Sequence, residues 1–269
     1  MESLFTPILA NALSFALEKS TTEGKITIVM LVIVSLISWS VIITKARQLL
    51  LARRKSKEFY EAYRATRDPL ELFRANKEFA GAPAYEVYYA GAEELEFHLK
   101  HHAVMVKGKA KVSSPSFEAV RITLDRVSSG ESLLLEKGMI ILSTAVAGGP
   151  FIGLLGTVWG VMETFSGIAM AKAASLTAMA PGVAGALIAT VVGLFVAIPA
   201  MFAYNLMITT IRALTQEQDN FVAELATGCE HHYVDQRPLA DEIADALRSL
   251  NTRAISAPAR PVLEEAAAN

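Results

Sequence analysis

Thr157, Glu163 and Thr164 stand inside one apolar run long enough to cross a bilayer, and Thr190 stands inside the next. At membrane depth a hydroxyl can hand on a hydrogen bond and a carboxylate can hold and release a proton. The chemistry on offer is therefore proton handling, not bond-making. A carboxylate in hydrocarbon is costly and by default marks a function. Around these groups run small residues about one helical turn apart, Gly149 and Gly153, then Gly156 and Gly160. In lipid that spacing lets helix backbones approach closely, because apolar burial gives no net drive there. Apart from Glu163 the two runs hold no Asp, Glu, His or Lys at depth. If ions move here, a partner chain supplies the key carboxylate.

The composition says what must position these groups. The 269 residues are 52% hydrophobic and 19% charged, with a mean hydropathy of +0.36. That balance fits a membrane protein with a substantial water-exposed part. A net charge of -2 and the absence of a basic face exclude a nucleic-acid binder. Cys229 is the lone cysteine and reads as a structural thiol. His98, His101 and His102, with Glu94 one turn before His98, imitate a metal site. They lack the His-Glu-x-x-His order and read as a solvated helix face, so no metal is expected. No nucleotide loop, catalytic triad or Rossmann turn is present. Neither enzyme activity nor a cofactor is expected.

The chain then divides by hydropathy. Residues 1–25 read as an outer, amphipathic segment lying at the membrane surface, since the run 4–17 is too short to span. Residues 26–44 form a first span, followed at once by Lys45, Arg47, Arg53, Arg54, Lys55 and Lys57. The positive-inside rule puts that end in the cytoplasm and the N-terminus outside. Residues 45–138 read as a cytoplasmic helical domain. Asp68-Pro69-Leu70-Glu71 looks like a helix start, with Asp68 as cap and Pro69 in the first turn. Gly81-Ala82-Pro83 breaks that helix, and 107–115 is a second break whose Lys107-Gly108-Lys109-Ala110-Lys111 run reads as a solvated loop. From Ser116 no breaker precedes the membrane, so one helix is expected to run on into the second span, 139–170. A short outer loop, 171–177, leads to a third span, 178–211, in which Pro181 and Pro199 are tolerable beside neighbouring helices. Residues 212–269 read as a cytoplasmic helix and a disordered tail. The expected fold is an all-α integral membrane protein with three spans, the inner two overlong and extended into the cytoplasmic domain.

On an ideal helix of ~100° per residue, Pro150, Gly153, Gly160, Val161, Thr164 and Ile168 fall on or near the face of Thr157. Val183, Ala186, Thr190, Gly193, Ala197 and Tyr204 make a similar stripe on the third span. Such stripes suit the lining of a shared pore, and equally suit ordinary helix packing. Spacing alone leaves both readings open. Glu163 lies about 120° from Thr157 around the helix, so it faces an adjoining helix or snorkels to the outer surface.

The run Pro150-Phe151-Ile152-Gly153-Leu154-Leu155-Gly156-Thr157-Val158-Trp159-Gly160-Val161-Met162 resembles the second-span signature of the ExbB/TolQ proteins, within the MotA/TolQ/ExbB proton-channel family. Ala180-Pro181-Gly182-Val183-Ala184-Gly185-Ala186-Leu187-Ile188-Ala189-Thr190, with Val192-Gly193-Leu194 and Ala197-Ile198-Pro199-Ala200, resembles its third span. The resemblance implies a homopentameric ring in the bacterial inner membrane around a pair of ExbD/TolR-like proteins, each with one span and a membrane Asp. It implies the proton as coupling ion, and work delivered to an energy transducer of the TonB or TolA kind. The family's pore threonines fall on Thr157 and Thr190, with Thr164 on the same lining face. Gly149, Gly153, Gly156, Gly160, Pro181, Gly193 and Pro199 are then helix-packing positions. One departure stands out: the family usually carries Glu where this chain has Gly185, and Asn or His where it has Glu163. A carboxylate relocated to Glu163 is one reading, and a surface-reaching side chain the other. For the whole chain, the alternative to a proton-driven motor subunit is a non-conducting scaffold that assembles a single-span partner.

Overall fold

A computed structural model describes residues 22–106, 108–171 and 176–235. The surface segment before residue 22, most of the outer loop and the tail from 236 lie outside the described residues. The elements are α1 (Thr22–Arg64), α2 (Glu71–Arg74), α3 (Pro83–His101), β1 (Val104–Val106), β2 (Lys109–Lys111), α4 (Ser114–Glu136), α5 (Met139–Ala171) and α6 (Leu176–Tyr233). Three stretches are helical, long and apolar enough to cross a membrane, one each in α1, α4–α5 and α6.

Between Lys25 and Arg64 there is no Gly or Pro, so nothing stops α1 at the membrane edge. Its 43 residues reach roughly 65 Å, about twice the hydrocarbon thickness. Two of its buried polar groups are satisfied within the helix: Thr27 Oγ1 donates to the Gly24 carbonyl at 2.8 Å and Ser38 Oγ to that of Val34 at 2.8 Å. α6 is longer still, 58 residues, and carries its apolar half straight into a charged one.

The water-exposed halves close on an aromatic core. Phe59 of α1 is fully buried, with the rings of Phe79, Tyr88 and Phe221 at 5.5, 5.5 and 5.3 Å. Tyr88 donates its hydroxyl to the Pro69 carbonyl at 2.8 Å and accepts from the Phe73 N–H at 3.0 Å. This one buried phenol thereby ties the 66–73 turn to α3. Burial pushes the Tyr63 and Tyr88 hydroxyls well above the usual phenol range, and the Cys229 thiol up to about 12. Cys229 therefore stays protonated and inert. Between α4 and α6, buried Gln218 donates to the carbonyl and Oγ of Ser128 at 3.0 and 2.9 Å, which fixes the register of the two helices. Phe59→Ala should remove the ring that joins α1 to α3 and α6, costing about 3–5 kcal/mol. Thermal unfolding of the detergent-solubilised protein, followed by near-UV circular dichroism, measures that loss.

Four expectations are corrected. First, the helix from Ser116 does not run into the second span. α4 ends at Glu136 and Gly138 takes a left-handed φ of 90° before α5 begins at Met139. Glycine reaches that conformation without a Cβ clash. The broken end is served by Lys45 from α1, whose Nζ donates to Gln48 Oε1 at 2.9 Å and to the Leu135 and Leu134 carbonyls at 3.1 and 3.4 Å. Second, the segment after Ala103 is not a plain loop. Val104–Val106 and Lys109–Lys111 form an antiparallel hairpin around Gly108, φ 78°, a short addition to a fold that is otherwise helical. Val112 bridges Val234 in parallel, which anchors the far end of α6. Third, Asp68 does not cap a helix: the cap position is Leu70, without a side-chain cap bond, and the helix lasts only from Glu71 to Arg74. Asp68 Oδ1 accepts from the Leu70 N–H at 3.0 Å, and Asn76 turns left-handed, φ 53°. Fourth, His98 is no solvated side chain. Only 13% of it is exposed, and its Nε2 stands 3.2 Å from Glu94 Oε1 yet too misaligned for a hydrogen bond.

Candidate functional site

Glycine sets how closely α5 packs against α6. A Cβ added at Gly149 would lie 3.0 Å from the Gly193 carbonyl oxygen, and one at Gly153 2.9 Å from Thr190 Cα. At Gly156 it would lie 2.6 Å from Ala189 Cβ, and at Gly160 2.8 Å from Ala186 Cβ. From α6, a Cβ at Gly193 would sit 2.6 Å from the Gly149 carbonyl oxygen, and Gly182 lies directly under Thr164 Oγ1. Residue numbers rise on one helix as they fall on the other, so the pair is antiparallel. The contact is backbone against backbone, the closest approach helices can make. Thr27 of α1 enters the same layer, its Oγ1 3.0 Å from the Cβ position at Gly156. Sequence reading passed over Thr27, although a polar residue near the start of a span was the available signal.

The hydroxyls differ in how they are satisfied. Thr157, half-buried, donates to the Leu154 carbonyl at 2.7 Å, and Thr164 to that of Gly160 at 2.8 Å. Both thus spend their proton on their own helix, which a threonine in a helix does readily. Thr190 is different: its Oγ1 is buried and has no hydrogen-bond partner among the described residues. A buried hydroxyl left so costs about 1–3 kcal/mol, which makes it the one polar group here still owed a partner.

Glu163 faces away from the seam. It is exposed, beside Trp159, Met162 and Ser166 on the outward side of α5, and no described residue bonds it. Gly185 is buried on α6. Because Gly160 meets Ala186 and Gly182 lies under Thr164, Glu163 and Gly185 share one layer of the helix pair while pointing in different directions. Pro199 lies within α6, half-buried; Pro181 lies near that helix's start.

Much apolar surface remains uncovered: Phe151, Val158, Phe165, Phe195, Phe202 and Leu206 are all more than half exposed. Faces of that extent belong against lipid or another chain. No group of three or more His, Cys, Asp or Glu is placed to hold a metal ion among the described residues.

Such a molecule is a polytopic helical membrane protein with a close-packed helix pair carrying three hydroxyls, and an exposed carboxylate on the outward side of α5. The chain belongs to the MotA/TolQ/ExbB proton channel family, which matches residues 86–220. That stretch begins in α3 and ends in α6, so it holds the whole glycine seam and leaves α1 outside. The chain is similar to the Tol-Pal system protein TolQ of Haemophilus influenzae, 33% identical over 211 residues, 78% of this chain and 90% of that protein. It is similar to the biopolymer transport protein ExbB of Xanthomonas campestris, 32% identical over 217 residues, 77% of this chain and 84% of that protein. Against ExbB of Pseudomonas putida it is 31% identical over 188 residues, 70% of this chain and 54% of that protein.

Proposed function

We propose that copies of this chain form a ring in the bacterial inner membrane around a single-span protein of the ExbD/TolR kind, with the N-terminus outside. Proton flow through that ring drives a TonB- or TolA-like transducer. Thr157, Thr164 and Thr190 line the path, and the partner's membrane Asp carries the proton. The observation that carries this reading is the buried, unpartnered hydroxyl of Thr190 in a chain of a proton channel family. A hydroxyl held by a glycine seam and lacking a partner among the described residues is poised to meet a carboxylate from another chain. Relatives named for the Tol-Pal system and for biopolymer transport support a role in envelope upkeep or import.

Glu163 serves in this reading as the relocated family carboxylate, in the layer of Gly185 but turned to the outward face. There it meets a neighbouring copy or the partner span. Glu163→Gln should cut proton uptake by proteoliposomes holding the chain and its partner by about tenfold or more, the lower range of what a positioned acid–base group contributes. Unchanged uptake would assign Glu163 to the membrane surface and end the relocation reading. The second reading, a non-conducting scaffold, draws on the seam itself, which is sealed within one chain. Proton uptake that depends on the threonines separates the two.

A further inference from the structure

α1 and α5 diverge along one flank and leave a groove of 430 Å³ walled by Val34, Ile37, Ile141, Ala145, Gly148 and Ile152. Ser38 and Thr144 also reach it, but each donates its proton within its own helix, so the groove offers nothing polar. One turn beyond its Ile141 end, a cavity of 590 Å³ opens between α1, α4 and the start of α3. Its charges are sorted. Lys45 and Lys137 stand where the apolar runs of α1 and α5 end, and Glu131 lies about two turns, roughly 9 Å, further up α4, with Glu86 beside it from α3. Lys137 repels Lys45. Burial, and then Glu86, hold the Glu131 carboxyl above the usual carboxylate range. None of the four forms an ion pair among the described residues.

A cation pair at the membrane edge, a carboxylate pair one headgroup further out and an apolar groove running inward match one class of molecule. We propose that this seam binds phosphatidylethanolamine, its phosphate on Lys137, its ammonium on Glu86 and Glu131, and one acyl chain in the α1–α5 groove; Lys45, whose three N–H already serve Gln48, Leu134 and Leu135, adds only its charge to the phosphate site. The chemistry discriminates. Phosphatidylglycerol satisfies the lysines but brings no cation to the carboxylates. Phosphatidylcholine brings a cation with no N–H, so it cannot donate the charge-assisted hydrogen bonds that an ammonium gives.

The test is native mass spectrometry of the complete membrane complex released from nanodiscs of equal parts phosphatidylethanolamine, phosphatidylglycerol and phosphatidylcholine. Retained lipid should be enriched in phosphatidylethanolamine about fivefold over either competitor, the factor a few exposed charge contacts give. Glu131→Gln with Glu86→Gln should bring the three lipids to parity. Lys137→Gln should lower retention of all of them. Gly148→Leu fills the groove at a position where a Cβ meets nothing within 4 Å. It should expel the lipid while the complex keeps its subunit composition. Retained lipid in bulk proportions, or enriched in phosphatidylglycerol, would overturn the proposal. So would a complex with no retained lipid, whose groove is then filled by a neighbouring copy.

Discussion

Gly153→Leu should abolish assembly of the protein while leaving its synthesis untouched. A Cβ at Gly153 already lies 2.9 Å from Thr190 Cα and 3.0 Å from the Ala189 carbonyl oxygen, and both are backbone atoms that cannot swing aside. The leucine is accommodated only by separating α5 from α6, which loosens every close contact from Gly149 to Thr164 together. Overpacking of an ordinary core costs about 1–3 kcal/mol because side chains can adjust. Here none can, and a loss of at least tenfold in folded, assembled protein is expected, tenfold being about 1.4 kcal/mol. The control is Gly148→Leu, five residues away in sequence but facing open space. Size-exclusion chromatography of the solubilised membranes should show the assembled peak for Gly148→Leu and lose it for Gly153→Leu. Equal peaks would mean that the seam is not what holds the two spans together.

Thr190→Val separates function from folding. Valine keeps the branched shape and removes only the hydroxyl, and that hydroxyl has no hydrogen-bond partner among the described residues. Removing a buried, unsatisfied hydroxyl should leave the isolated chain as stable as before, or more so by about 1 kcal/mol. Proton-driven activity should nevertheless fall by about a hundredfold, since a positioned proton-transfer group contributes about 10²–10⁴. The signature is the combination: unchanged or higher thermal stability, intact assembly and lost proton uptake. Lower stability with a proportionate loss of activity would make Thr190 a packing residue. A stable variant with full activity would remove the hydroxyl from the path.

Much of this was legible in the sequence because it is periodic and local. Apolar runs of bilayer length announced the three helices, and the two glycine-rich runs carried the family resemblance. What was not legible depends on partners distant along the chain. Gly138 sits inside an otherwise helical pattern, and only Lys45, from α1, shows why α4 can stop there with its carbonyls satisfied. The Lys-Gly-Lys run around Gly108 looks like a loop until Val112 and Val234 pin its far strand to the end of α6. His98 carries a polar side chain on a charged helix, and its burial follows from neighbours that spacing does not name. The glycine spacing was readable too, but not which helix those glycines meet. The difference between Thr157 and Thr190, one hydroxyl satisfied by its own helix and the other not, lies in side-chain geometry alone.

The central claim is that this chain encloses a partner that carries the proton. Native mass spectrometry of the complex, co-expressed with its chromosomal neighbours, tests it most directly. The expected result is a ring of copies of this chain holding a pair of small single-span proteins with an Asp in the span. A ring that purifies without any such partner would contradict the claim, leaving Glu163 as the only carboxylate in the sequence of the two inner apolar runs and the scaffold as the better account.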